Sequence, residues 1–393
     1  FIIIHADGLK PPELFPDLDI GRPVEIAVNP RRDQIAFSNQ RYELAFLDLE
    51  TREMKLIDRG VANRIAGFAW SPDGEWLAYS VSISVQVSIL KIWKASSGEI
   101  FPLTDRVLRD ERPAFDPEGK YLYFLSYRNF DPVYDHLHFD LNFPRGVKPC
   151  LITLQKETPS PFVPLPKEEM APEEEEEKGE KQDASQESDQ AQVQEAQPEE
   201  KAPEKSLQID LEGIQRRVLA FPVEGGRYGR ILGLRGGKVL YSLYPVEGAL
   251  EQRFIETEPP AKGELLQYKF EDQKEELYAD RISDFDLSRD ASTVIYRAGY
   301  RLRVVKAAEK PDERSGYRPS RESGWIDLGR VSVPVIPSAE WRQMFREAWR
   351  LQRDHFWTPD MSHVDWVAVH DRYLPLVDRV GSRAEFSDLM WEM

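Results

Sequence analysis

The stretch FAWSPDGEWLAYS, residues 68–80, decides the fold, because the chain repeats it. It recurs as PAFDPEGKYLYFLS at 113–126 and, more loosely, as IAVNPRRDQIAFSN at 26–39 and FDLSRDASTVIYRA at 285–298. A further weak copy lies around LRGGKVLYSL at 234–243. Each copy reads as a strand, a tight turn and a second strand. In the clearest one, Pro72-Asp73-Gly74 makes the turn: proline fixes φ and glycine tolerates a positive φ. In the strand that follows, Trp76, Ala78 and Ser80 share one face while Leu77 and Tyr79 share the other. Pro30, Pro72 and Pro117 are 42 and 45 residues apart, which leaves room for four short strands per unit. That is the period of a β-propeller blade. The fold class expected is mainly β: a propeller, incomplete at its N-terminus, over residues 1–337, followed by a short α-helical segment. An all-β sandwich with similar turns is the rival.

The chain has 393 residues, of which 41% are hydrophobic, so it can bury a large core. Its net charge of −17 is concentrated in one place. Residues 167–205 hold fifteen Asp and Glu against five Lys, a net of −10, and contain no aromatic residue. Such a stretch buries too little apolar surface to offset the entropy of ordering, so residues 165–206 are expected to be a disordered acidic insertion. Strand-like sequence on both sides, Leu151 to Leu154 and Gln215 to Phe221, places it inside the propeller. An acidic chain without a stripe of clustered Lys and Arg is a poor nucleic-acid binder. No run of eighteen apolar residues is present, so no membrane partner is expected. The one cysteine, Cys150, excludes an internal disulfide and reads as a small apolar strand residue. Position 1 is Phe and the last residues are helical in character, so both ends read as cut.

After Val331-Ser332-Val333-Pro334-Val335-Ile336-Pro337 the pattern changes to helical spacing. Ser338 reads as an N-cap, and Trp341, Met344, Phe345, Ala348, Trp349 and Phe356 form an apolar stripe. A second helix is expected from about Asp365 to Leu374, stopped by Pro375. Ser382 with Glu385 makes a capping box for a third helix that turns Phe386, Leu389 and Met390 inward. Residues 338–393 are therefore the opening of a helical core domain.

Chemistry is sparse. His136 and His138, with Asp135 and Asp140, have strand spacing that could face a metal, but zinc needs three or four converging ligands. His355, His363 and His370 fall in the helical segment without an H-E-x-x-H pattern, and no G-x-S-x-G elbow occurs. Gly225-Gly226-Arg227 and Arg235-Gly236-Gly237 do not open helices and read as hairpin turns rather than phosphate loops. No catalytic, cofactor-binding or metal-binding residue is assigned to this segment, and no cofactor is expected.

The junction carries a resemblance. Residues Glu340 to Arg350, Arg353-Asp354-His355-Phe356-Trp357, Pro359-Asp360-Met361, Val364-Asp365-Trp366 and Arg383 to Met393 resemble the start of the catalytic core of tricorn proteases. Upstream, Phe130 to Asp135 and Asp140 to Gly146 are similar to a stretch of that family's second propeller, whose blades are of TolB type. The resemblance implies a large, often hexameric, cytoplasmic serine peptidase that cuts oligopeptides, with this propeller as a channel or filter. It also implies that the catalytic His and Ser are not among these residues. A TolB-like propeller serving as a non-catalytic interaction scaffold is the alternative. A prolyl-oligopeptidase plan is opposed by the Trp-rich helices.

Overall fold

The structure is a computed structural model that describes residues 2–3, 11–15, 18–65, 67–163, 206–248, 260–312 and 316–393. The chain divides into two units, Phe1–Ile326 and Asp327–Met393.

The described residues of the first unit form a β-propeller of five blades. Blades 1 to 4 are four-stranded antiparallel sheets. Blade 1 comprises Pro23–Val28, Gln34–Asn39, Glu43–Asp48 and Met54–Arg59, and blade 2 comprises Phe68–Trp70, Trp76–Ser82, Ser88–Lys94 and Ile100–Pro102. Blade 3 is built from Asp110–Phe115, Tyr121–Ser126, Lys148–Thr153 and Val218–Ala220. Blade 4 is built from Arg227–Leu234, Lys238–Tyr244, Gly263–Lys269 and Lys274–Ile282. Blade 5 has three strands, Asp284–Leu287, Thr293–Ala298 and Arg301–Lys306, and Trp325 bridges to its outer strand at Arg303.

The predicted alternation separates two cores. Leu77 and Tyr79 join Leu44, Phe46 and Trp93 between blades 1 and 2. Trp76 and Ala78 join Leu122, Phe124 and Ile152 between blades 2 and 3. Tyr123, Phe221, Tyr241 and Tyr268 fill the space between blades 3 and 4, while Leu240, Phe285, Tyr296 and Trp325 fill that between blades 4 and 5. Each fully buried side chain of this size contributes about 1.5–3 kcal/mol.

The repeated turns share a device. The polar residue just after the inner strand plugs its own turn. Ser71 Oγ accepts from Trp76 N at 2.9 Å and donates to Asp73, as Ser288 Oγ does with Thr293 N and Asp290. Asn29 Oδ1 accepts from Arg31 N and Arg32 N, and Asp116 accepts from Lys120 N. Asn29 also donates to Gly74 O of the next blade at 2.9 Å. A Cβ on Gly74, whose φ is +71°, would lie 2.3 Å from Asn29 Oδ1.

The acidic insertion leaves blade 3 between its third and fourth strands. Asp210 joins the two stems: its N–H donates to Leu154 O and its carboxylate accepts from Lys156 N. Leu207 N donates to Asp73 of blade 2 at 2.7 Å. The expectation of disorder at residues 165–206 lies, apart from Ser206, outside the described residues. Cys150 is buried in the third strand of blade 3, and burial pushes its thiol up to about 12. Gly225 and Gly226 differ from expectation: they connect blades 3 and 4, with Gly226 N bonded to Val147 O. Arg235-Gly236-Gly237 is a hairpin turn as read.

The second unit contains three helices: α1 Pro337–His355, α2 Trp366–Val377 and α3 Arg383–Glu392. Phe345, Val377 and Phe386 form its buried centre, with Leu389 and Met390 packed against them. Trp349 and Trp366 stack nearly parallel, and each indole N–H donates to the other residue's carbonyl, at 2.7 and 2.9 Å. Ser382 caps α3 as predicted, accepting from Glu385 N, while Glu385 accepts from Gly381 N. Two boundaries depart from the sequence reading. Ser338 is not a cap: α1 begins at Pro337, whose fixed φ suits the first helical position and whose missing N–H costs nothing there. Pro375 lies inside α2, which runs on to Val377 because that residue is buried against Phe345 and Phe386.

Between α1 and α2, Met361, Ser362 and His363 all have φ between 51° and 66°. Asp360 and Thr358 hold this left-handed turn by accepting from Ser362 N. The conformation costs roughly 1–2 kcal/mol per non-glycine residue. The His363 side chain is 93% exposed, so His363→Gly should stabilise the helical unit by about 0.5–1 kcal/mol, read by urea unfolding.

A second expectation concerns Asp116, whose carboxyl burial pushes up to about 6. The folded state therefore holds this proton more tightly than the unfolded chain does. The stabilisation is complete below the unfolded value of 3.8 and is lost as pH rises through about 6. Asp116→Asn should unfold like the wild type near pH 4 and be more stable by roughly 1–3 kcal/mol at pH 7. Denaturant titrations at the two pH values check this.

Candidate functional site

The inner strands of all five blades line one central cavity of about 850 Å³. Its wall is assembled from segments 25–28, 67–70, 112–115, 230–233 and 286–287, and its rim from the turns that follow them. The rim is tied together turn to turn. Arg31 Nε donates to Pro72 O at 2.9 Å, Gly236 N to the Glu118 carboxylate at 2.8 Å and Arg235 Nε to Asp290 O at 3.2 Å. Arg289 donates to Pro30 O at 3.4 Å, which brings the fifth turn beside the first.

The cavity is basic. Arg31, Arg112, Arg230, Arg235 and Arg289 face it, against Glu25, Asp286 and Asp290. Arg230 lies 3.2 Å from Asp284 and 3.4 Å from Asp286. Glu25 accepts from Gly67 N at 2.8 Å. Asp290 is held down to about 2 by the Ser288 and Ser292 hydroxyls and the Ser292 N–H, so it stays ionised. Arg112 has φ 56°, an uncommon backbone for a non-glycine residue, and stands exposed at the wall. Lined by guanidinium groups among apolar side chains such as Phe68 and Leu232, the cavity can accept carboxylate-bearing groups.

Only Arg235 was singled out from the sequence, and as part of a turn, yet a signal for the others existed. Arg31 stands two residues after Asn29 and Arg289 directly after Ser288, the residues that plug their turns, and Arg235 opens the hairpin of blade 4. At the position of Arg31, blades 2 and 3 carry Asp73 and Glu118 instead.

The histidines do not gather there. His138 Nδ1 lies 2.8 Å from Asp135 in an exposed hairpin, with the His136 ring against Tyr134. His363 pairs with Asp360 at 3.0 Å and His370 with Asp371 at 2.9 Å. His355 is the last residue of α1. Among the described residues, no helix is long and apolar enough to cross a membrane.

Comparison with known proteins gives these elements a family. Residues 1–308 match the model of the tricorn protease second β-propeller domain, and residues 337–393 match that of the tricorn protease C1 domain. Tricorn protease homolog 1 of Streptomyces coelicolor is 36% identical over 95% of this chain and 33% of its own length. A putative tricorn-like protease C-terminal subunit of Sulfurisphaera tokodaii is 32% identical over 96% of this chain and 39% of its own length. The crystal structure of the tricorn protease superposes with a TM-score of 0.77 at 23% identity, over 97% of this chain and 33% of that one, which shows a shared fold. The chain thus spans about a third of the length of the relatives it matches. It belongs to the tricorn protease family.

Proposed function

We propose that this chain is the propeller and first core helices of a tricorn-like serine peptidase that degrades oligopeptides, and that the propeller admits and filters them. The observation that carries the reading is the central cavity, walled by every blade and carrying five arginines against three carboxylates. An extended peptide offers backbone groups and a terminal carboxylate, which guanidinium groups recognise in bidentate fashion. The reaction itself would be acyl transfer by a serine with a histidine base, both supplied on this reading from outside the propeller and its first core helices. A cytoplasmic homo-oligomer acting on peptides released by other proteases completes the proposal.

The complete protein should cleave tri- to decapeptides and lose that activity to a serine-directed inhibitor. Within it, Arg112→Glu should raise KM for peptides with a free C-terminus by about tenfold and leave C-terminally amidated ones less affected. Inhibitor-insensitive cleavage refutes the chemistry. An unchanged KM in the variant refutes the filter.

A further inference from the structure

In an antiparallel ladder, opposed residues alternate between pairs that exchange both hydrogen bonds and pairs whose N–H and C=O all point away from the partner strand. The register therefore fixes which backbone groups of each inner strand face the central cavity. In blade 1, Asn29 N donates to Gln34 O at 2.8 Å, so that pair is bonded. One residue back, Val28 opposite Ile35 is not, and two residues further back neither is Ile26 opposite Phe37. The N–H and C=O of Ile26 and Val28 thus point into the cavity, and no contact among the described residues takes them up. Both residues line that cavity and are 50 and 58% exposed.

The other four blades do not offer such an edge. In blade 5, Ser288 N bonds Thr293 O, which turns Phe285 N and Leu287 N toward the cavity. The Asp284 and Asp286 carboxylates already accept from them, at 2.9 and 2.8 Å. In blades 2 to 4 the residues with the same orientation are covered: Phe68, Trp70, Phe115 and Ile231 are 7, 8, 9 and 1% exposed. Blade 3 also carries Pro113, which has no N–H to give, and both its inner strand and that of blade 4 are interrupted by bulges.

We infer that an extended peptide in the cavity joins blade 1 as a fifth strand, paired through the N–H and C=O of Ile26 and Val28. An exposed strand edge presents donors and acceptors at the spacing of another extended backbone, and main-chain pairing of this kind is a general mode of peptide capture. The inference rests on the reading of the cavity as a peptide passage and adds the place and manner of binding. Recognition through the main chain is indifferent to most side chains. It selects unfolded peptides and discriminates against chains in which proline removes the paired N–H groups.

Binding of fluorescein-labelled penta-alanine to the full chain, followed by anisotropy, tests this. An extended peptide has two edges, and either can pair. Two amide-to-ester replacements placed two residues apart fall on one edge, leave the other whole and should change the affinity less than about twofold. The same two replacements on adjacent residues spoil both edges and should weaken binding about three- to tenfold. In the protein, Ile26→Pro removes a cavity-facing N–H that the ladder does not use and should weaken binding at least about tenfold, while Ile26→Val keeps the donor and the affinity. The ester comparison is made on the wild-type chain and does not depend on how the proline variant folds. Equal affinity for the two ester placements, or unchanged binding to a folded Ile26→Pro, overturns the strand pairing and leaves peptide entry standing. No binding of unmodified penta-alanine overturns both.

Discussion

The propeller depends on one constraint: successive side chains of a strand point to opposite faces, and in these blades both faces must be buried. Leu77 and Tyr79 serve the core shared with blade 1, and Trp76 and Ala78 the core shared with blade 3. A one-residue slip in that strand would exchange the two sets and empty both cores together. No blade can therefore hold its register alone, because half of each sheet's apolar surface is covered only by a neighbour. The turn-to-turn hydrogen bonds, Asn29 to Gly74 and Arg31 to Pro72 among them, then set how the packed blades are angled.

Much of this was legible in the sequence. The repeat carries its own turn signal, and the alternation around Trp76 needs no knowledge of neighbours. The Ser382 cap of α3 is likewise local, formed within four residues. What escaped the sequence was settled at a distance. Pro375 reads as a stop, but Val377 beyond it is buried by Phe345 and Phe386, two residues on other helices. Gly225-Gly226 looks like a hairpin turn until Val147, nearly eighty positions away, takes up the Gly226 N–H. The cavity arginines are scattered from Arg31 to Arg289 and become one site only when the blades are arranged in a ring. That the inner strand of each repeat is its first is the missing datum, and it is a matter of topology.

The charge distribution also changes meaning once the blades are in place. The chain is strongly acidic, yet residues 167–205 alone carry −10 of its net −17, and the central cavity has an excess of guanidinium groups. Sequence-wide charge therefore says little about what the cavity attracts. The local field in a cavity is set by the groups along its wall, with distant exposed charges screened within about 10 Å. The family membership rests on both units of the chain.

The Asp210 clasp has a consequence for how this protein can vary. By bonding Leu154 O and Lys156 N at once, Asp210 closes the insertion at its neck, so blade 3 meets only a short, fixed junction. Lengthening a loop beyond such a neck is cheap, about 0.6 kcal/mol for each doubling. Blade 3 is in this sense a socket: evolution, or an engineer, can exchange what lies between the stems for a sequence of another length or charge, and the propeller will register little of it.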